Sequence, residues 1–171
     1  MADAFRLVTP RTLICSVAAA DLATLYAIAT RPEVARMLFL LAPDMGRAAF
    51  DAIFPPGARV PPFRAAIERD GQVIGSIGIG AGAAPPVYYF LAPEAAGQGL
   101  ATEVVGAFAA EMVARHAPAG LTAEVFADNP ASCRVLEKCG FARVEARSLS
   151  SDARPAPAPG WLFRRSGAVG P

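Results

Sequence analysis

The sequence has little of what metal sites, redox motifs and phosphate-binding P-loops require. It contains one lysine, Lys138, one histidine, His116, and three cysteines. A P-loop needs Gly-Lys-Ser/Thr, which is absent, and a zinc site needs clustered His and Cys residues. Because Cys15, Cys133 and Cys139 are an odd and scattered set, they are more typical of buried thiols in a reducing compartment than of a disulfide framework. We therefore expect no metal.

Charge imbalance and membrane-spanning segments are also missing. The net charge is +1, with 16 basic and 15 acidic residues interspersed, so no nucleic-acid partner is expected. The longest uncharged run, residues 71–93, could span a bilayer by length, but its five glycines and three prolines exclude a spanning helix. The start of the chain lacks a basic region followed by an apolar one. The sequence therefore predicts a soluble, cytoplasmic protein without a secretion signal or membrane partner.

The composition is sufficient for one domain over residues 1–171. The chain is 54% hydrophobic and can bury a core without disulfides. Patterning predicts an α+β protein with a mixed sheet and a mobile Ser/Pro/Ala-rich loop at residues 150–159. The predicted strands cover residues 6–17, 63–69, 72–79, 87–91, 121–126, 142–149 and 161–165. Helices are predicted at 22–29, from 32, and at 44–54, 100–116 and 130–139.

A glycine-flanked helix start is the most informative local feature. The predicted strand 87–91 runs through a turn at Pro93 to Gly97 and Gly99, and an amphipathic helix follows. The first turn of a helix has unpaired N–H groups at the positive end of its dipole, so an anion such as a pyrophosphate fits there. A dinucleotide fingerprint would need a third glycine where Thr102 stands. Taken alone, the glycines are equally compatible with a tight turn.

A second motif follows the predicted strand 121–126. Asn129 is a good N-cap, Pro130 fits the first helical position, and Gly140 is placed to end the helix. The two motifs together, Pro93-Glu94-x-x-Gly97-Gln98-Gly99-Leu100-Ala101-Thr102-Glu103 and Asn129-Pro130-Ala131-Ser132…Leu136-Glu137-Lys138-Cys139-Gly140-Phe141, resemble those of the GNAT acetyltransferases. Within that superfamily, the chain most resembles the branch that acetylates the N-termini of ribosomal proteins. The resemblance covers residues 5–165.

The resemblance implies a mixed, mostly antiparallel sheet flanked by helices, and direct acetyl transfer from acetyl-CoA to a primary amine. It also implies where acetyl-CoA binds. Backbone groups at a splayed central strand would hold the pantetheine arm, and N–H groups of the glycine loop would hold the pyrophosphate. The implied residues are Phe90, Leu91 and Ala92 for the arm, and Gly97, Gln98, Gly99, Leu100, Ala101 and Thr102 for the pyrophosphate. Asn129 combines capping with a cofactor contact. Arg134 is either a phosphate contact or part of a solvated charged face.

Catalytic candidates follow from the same resemblance. Many members use a tyrosine in the late helix to protonate the departing thiolate; Leu136 stands at that place here. The N-terminal acetylating branch carries a serine, which Ser132 matches, although a first-turn serine can also simply satisfy backbone groups. Glu124 is the candidate base, with Glu68 as a second possibility, and either could be a plain surface carboxylate.

Two further residues complete the sequence-based site. Tyr88 and Tyr89 alternate across the central strand, so one is predicted to line the acceptor cleft while the other packs in the core; we include Tyr89 among the candidate site residues. Ala95 and Ala96 depart from the family, whose members usually carry an aromatic residue or arginine there. This removes a side-chain contact near the pyrophosphate.

Three functions stay open. The first is an N-acetyltransferase for a peptide or protein N-terminus or a small amine, acting as a monomer or homodimer. The second is a non-catalytic acyl-CoA sensor, which the missing tyrosine and the unidentified base would allow. The third is a nucleotide-binding enzyme, which Thr102 and the single lysine disfavour.

Overall fold

Eight strands form two antiparallel sheets in the computed structural model, which describes residues 4–167. The first sheet has the order β1-β2-β3-β4-β5 and the second the order β6-β8-β7. The strands are β1 (Arg6–Val8), β2 (Leu13–Ser16), β3 (Phe63–Arg69), β4 (Gln72–Ile79), β5 (Val87–Leu91), β6 (Gly120–Phe126), β7 (Ala142–Leu149) and β8 (Ala158–Ser166). The predicted α+β class with a mostly antiparallel sheet is confirmed.

Within the described residues, five α-helices flank the sheets: α1 (Leu22–Ala29), α2 (Pro32–Ala35), α3 (Arg47–Ile53), α4 (Leu100–His116) and α5 (Pro130–Lys138). Helix α4 is amphipathic as predicted, because its stripe of Leu100, Val104, Phe108 and Met112 is buried. Val104, Phe108 and Met112 of this stripe form one core cluster with residues of the β-strands and of α5. A second cluster packs α1 and α3 against the other face of the first sheet, around Phe50, Phe54 and Phe90.

The first strand predicted from the sequence is wrong in extent. Residues 6–17 form a hairpin of β1 and β2, with Arg6 opposite Cys15. The turn between them is held by the Thr9 hydroxyl, which lies 2.6 Å from the Thr12 hydroxyl. Pro10 explains the break, since proline lacks the N–H that a continuous strand would need.

The loop predicted as mobile, residues 150–159, is tied to the body of the protein at several points. Ala158 and Pro159 belong to β8. The Asp152 N–H donates to the Phe39 carbonyl at 3.1 Å. Arg154 donates to both carboxylate oxygens of Asp128, at 2.8 and 3.2 Å. The mobility of the loop stays a prediction.

No helix within residues 4–167 is both long and apolar enough to cross a bilayer.

Candidate active site

The two sheets touch along one line and then separate. Strands β5 and β6 belong to different sheets, and an isolated parallel bridge between Pro86 and Thr122 joins their starts. The Thr122 N–H donates to the Pro85 carbonyl at 3.1 Å. Beyond this bridge the strands diverge, and a cavity of about 1200 Å³ opens between them, lined by both.

Strands β4 and β5 are antiparallel neighbours, and their backbones approach very closely near Gly75. A Cβ on Gly75 would lie 2.1 Å from the Phe90 carbonyl oxygen, so a larger residue there would force the strands apart. Phe90 and Leu91, which the resemblance assigns to the pantetheine arm, line the cavity. Ala92 does not: its N–H donates to the Ile74 carbonyl at 2.7 Å, and its carbonyl accepts from the Ala95 N–H at 2.9 Å. Both backbone groups of Ala92 are thus already hydrogen-bonded within the chain.

One end of the cavity is the N-terminus of α4. Gly97 and Gly99 adopt φ angles of +72° and +75°, which favour glycine. No heavy atom lies within 4 Å of a Cβ placed on Gly97, so the space beside it is open. The Glu103 N–H donates to the Gly99 carbonyl at 3.1 Å. Helix geometry then leaves the preceding N–H groups, those of Leu100, Ala101 and Thr102, without intrahelical acceptors.

Gln98, also predicted to bind the pyrophosphate, is not among the cavity-lining residues. Its carbonyl accepts from Arg11 Nη1 at 2.7 Å, and its side-chain oxygen accepts from Arg69 Nη1 at 2.7 Å. Gln98 therefore links the glycine loop to β3 and to the turn between β1 and β2. The sequence did not reveal these links, because they join residues 87 and 29 positions apart.

Glu103 anchors the same region. Its carboxylate accepts from the Thr9 hydroxyl at 2.6 Å and from the Arg11 N–H at 2.9 Å, and it forms an ion pair with Arg11 Nε at 2.7 Å. Burial raises the pKa of Glu103, but these hydrogen bonds outweigh it and lower the pKa below its ordinary value. The helix start is thus braced from outside the cavity.

Helix α5 forms an adjoining wall, because it packs against α4: the Cys139 thiol donates to the Thr102 carbonyl at 3.4 Å. Asn129 caps it, since its side-chain oxygen accepts from the Ser132 N–H at 3.2 Å, as predicted. Asn129, Ser132, Arg134 and Lys138 all line the cavity. Arg134 and Lys138 are one helical turn apart and exposed, so both can approach an anion in the cavity.

A tyrosine–serine pair connects strand β5 with helix α5. The Tyr89 hydroxyl lies 2.6 Å from Ser132 Oγ, and either atom can donate. Burial raises the pKa of Tyr89 above its ordinary value, and the hydrogen bond to Ser132 offsets this only in part. Tyr89 is therefore a neutral phenol near pH 7. Both residues were predicted separately, but their contact was not.

Side chains that alternate along the strands give the cavity two faces. Tyr89, Ala123 and Val125 pack in the cluster that contains α4 and α5. Tyr88, Thr122 and Glu124 consequently lie on the other face, towards the side that α1–α3 cover. These three also line the cavity, so it is bordered from both faces.

Glu124, the predicted base, lies on this second face and is ion-paired. Its Oε1 accepts from Arg147 Nη1 at 2.7 Å, and Arg147 also contacts Glu145 at 3.2 Å. Glu68, the second candidate, is outside the main cavity and lies 3.4 Å from the Cys15 sulfur. Arg147 was missed in the sequence, which offers no local signal that pairs it with a residue 23 positions earlier.

The β7–β8 loop is fixed beside the second face by a cluster around Asp128, which contacts the lining residue Met37 through Arg154. The Arg154 guanidinium lies 3.8 Å from the Phe126 ring centroid and donates to the Arg36 carbonyl at 2.9 Å. Arg36 pairs with Asp128 at 2.7 Å. The hydrogen bond from Arg154 is the main cause of a lowered Asp128 pKa. We call Arg36, Asp128 and Arg154 the Asp128 cluster.

Residues 11–142 match the profile of the family described as the acetyltransferase (GNAT) domain. The chain belongs to the GNAT acetyltransferase family. No curated protein sequence matches the chain. The described part of this GNAT chain contains no group of three or more His, Cys, Asp or Glu residues able to hold a metal ion.

Solved structures of similar fold include GNAT members with different acceptors. A GNAT-family acetyltransferase from Bacillus anthracis superposes with a TM-score of 0.81 at 14% identity, over 95% of this chain and 99% of that chain. RimL, a ribosomal L7/L12 α-N-protein acetyltransferase in complex with coenzyme A, gives 0.77 at 12%, over 96% and 98%. Spermidine N-acetyltransferase from Vibrio cholerae, in complex with CoA and spermine, gives 0.76 at 13%, over 91% and 96%. At these identities the similarity establishes the fold.

Proposed function

We propose that this GNAT protein transfers the acetyl group of acetyl-CoA to a primary amine, and that the amine is a peptide or protein N-terminus. One observation carries the proposal. A single cavity joins the glycine-flanked start of α4 to the Tyr89–Ser132 pair and opens onto both faces of the sheets. It thus offers an anion-binding end, a proton donor and a separate approach for an acceptor.

The residues present fit acetyl-CoA. The open space beside Gly97 and the first-turn N–H groups of α4 suit a pyrophosphate, with Arg134 and Lys138 of the adjoining helix α5 as additional positive charges in the lining. Leu91 ends β5 and lines the same cavity, and it is our choice for the backbone contact to the pantetheine arm. Ala92 is a poorer choice, because its backbone groups are engaged. Bound acetyl-CoA supplies the thioester and its thiol leaving group.

Ser132 is proposed to hold the proton that the departing sulfur needs. Ser132 is a half-buried residue in the first turn of α5 and lines the cavity, and its N–H donates to the Asn129 side chain. The acceptor nitrogen must lose one proton in the same reaction. Glu124 is the proposed receiver, directly or through water, with Arg147 fixing its position.

An α-amino terminus suits this site better than a polyamine. Its unperturbed pKa is about 8, compared with about 10 for a lysine-type amine, so it needs less help from a base. On the acceptor face, Glu124 is paired with Arg147, which it shares with Glu145, and Glu33 and Arg164 add one charge of each sign to the lining, so the charges there nearly cancel. A multiply charged cation would gain little there.

The second candidate function, an acyl-CoA sensor without turnover, is favoured by the Glu124–Arg147 ion pair. Glu124 Oε1 already accepts a hydrogen bond from Arg147, so this oxygen is not free to contact an acceptor amine directly. In this alternative acetyl-CoA would bind in the same cavity, but no acceptor would react.

A thiol-release assay over a panel of amines tests the proposal. The panel contains peptides that begin with Ala, Ser and Met, the same peptides with blocked N-termini, free lysine and spermidine, at neutral pH. We expect thiol release and a mass increase of one acetyl group with the free N-termini only. Reaction with lysine or spermidine alone would contradict the N-terminal assignment. Acetyl-CoA binding without reaction on any amine would favour the sensor.

A further inference from the structure

The hydrogen bond between Tyr89 and Ser132 raises the question of which oxygen donates. The two residues lie on different elements, β5 and α5, and are 43 positions apart, so the contact is a product of the fold and not of local sequence. Each hydroxyl has one hydrogen to donate and lone pairs to accept. The direction of this bond decides whether the serine hydrogen is available to the cavity.

The surroundings favour donation by the tyrosine. The Tyr89 hydroxyl also approaches the Ser132 carbonyl, but at 3.5 Å, the limit of a hydrogen bond, whereas Ser132 Oγ lies at 2.6 Å. A phenol is a stronger acid than an aliphatic alcohol, and because its pKa is raised here it keeps its hydrogen at neutral pH. Donation from Tyr89 to Ser132 Oγ leaves the serine hydrogen free to turn towards the cavity.

We propose that Tyr89 is a positioning residue that donates its hydroxyl hydrogen to Ser132 Oγ and so directs the serine hydrogen towards the leaving sulfur. The inference rests on the proposed function. In the reaction a C–N bond forms and the C–S bond breaks. The acceptor nitrogen releases one proton to Glu124 or water, and the sulfur takes one from Ser132. Tyr89 steadies the serine oxygen as it gives up that proton, and water in the open cavity returns a proton to Ser132, so that in total one proton leaves the amine and one is gained by the thiol.

This assignment also accounts for Leu136, which stands where the resemblance leads one to expect a helix tyrosine. Leu136 is fully buried in the core cluster, so it contributes packing and no hydroxyl. In this protein a phenol reaches the same helix from the strand side, through Ser132. The structure thus offers a tyrosine–serine pair in place of one helix tyrosine.

Tyr89→Phe removes the hydroxyl and keeps the ring. We expect kcat with the best N-terminal peptide to fall about tenfold, with the CoA dissociation constant and the peptide KM unchanged. Ser132→Ala should fall further, by about a hundredfold. In the Ser132→Ala background, adding Tyr89→Phe should cost nothing more, since Tyr89 acts only through the serine.

Tyr26→Phe is the matched control, because Tyr26 is also half-buried and donates to a single oxygen, the Met45 carbonyl, at 2.6 Å. It removes an equivalent tyrosine hydrogen bond away from the cavity, so the thermal stability should fall while kcat stays at the wild-type value. A Tyr89→Phe variant that keeps wild-type kcat would overturn the inference. So would an equal loss in the wild-type and Ser132→Ala backgrounds, which would indicate an independent or purely structural role. A wild-type protein that binds CoA and acetylates no amine would instead refute the proposed function itself.

Discussion

Ala101→Glu is the sharpest test of the pyrophosphate site. Ala101 is the second residue of α4, lines the cavity and is half-buried. Side chains in a helix lean towards its N-terminus, so a glutamate there would place its carboxylate over the first-turn N–H groups. Those are the groups proposed to hold the pyrophosphate. The variant therefore introduces a negative charge where a negative ligand must bind.

The magnitude follows from Coulomb's law. Two unit charges about 6 Å apart, at an effective dielectric constant of about 20, repel by about 3 kcal/mol. The site opens to solvent, and screening reduces this to about 1.5 kcal/mol, which corresponds to an affinity at least tenfold weaker for CoA. Stability should change in the opposite direction. A carboxylate in the first turn of a helix stabilises it by about 0.3–1 kcal/mol.

Isothermal calorimetry with CoA and thermal denaturation of the free protein measure the two effects. Ala101→Gln is the control, because it has nearly the same size without the charge and should lose much less affinity. A lower affinity together with an equal or higher melting temperature would be the expected signature. Wild-type CoA affinity in Ala101→Glu would refute the placement of the pyrophosphate at α4.

Three other regions give predictions. Glu103→Gln should destabilise the protein at pH 7, because it removes the ion pair with Arg11. The pKa of Glu103 is lowered on folding, so the difference in unfolding free energy between wild type and variant should shrink as the pH falls through that pKa. Urea titrations at several pH values measure this difference, and one that does not change with pH would contradict the prediction. Arg154→Lys keeps the charge but loses the two-pronged contact of the guanidinium with Asp128. The melting temperature should therefore fall and the KM for the acceptor should rise. A changed CoA dissociation constant would argue against a role confined to the acceptor face. Burial raises the pKa of the Cys133 thiol, so iodoacetamide at pH 7.5 should label this cysteine slowly in the native protein and rapidly after denaturation. Peptide mass mapping measures the two labelling rates. Rapid labelling of the native protein would indicate an exposed thiolate.

Local chemistry made part of this fold predictable. The β3–β4 hairpin was predicted at its observed bounds, because Asp70-Gly71 combines a strong turn signal with flanking apolar strands. The long stripe of α4 and the Asn129 cap of α5 are likewise properties of neighbouring residues. The hairpin within residues 6–17 was missed although Pro10 marks it, since the apolar residues on both sides read as one strand.

The arrangement of the site could be predicted only in part. Gly97 and Gly99 were identified because backbone geometry and helix electrostatics make them informative on their own. The contact between Tyr89 and Ser132 depends on how two sheets diverge and how α5 packs across the gap, which no short motif encodes. The same holds for the ion pair that engages Glu124.

The bracing of Glu103 by the β1–β2 turn has a practical consequence for handling the protein. Thr9 and Arg11 lie outside the cavity lining, yet they hold the first turn of α4 and, through Gln98, the glycine loop. A purification tag or N-terminal deletion that disturbs this turn would weaken the hydrogen bonds that hold the first turn of α4 on the side away from the cavity. Such a preparation would show weak CoA binding with every cavity residue intact, and an inactive tagged sample would say nothing about the residues inside the cavity.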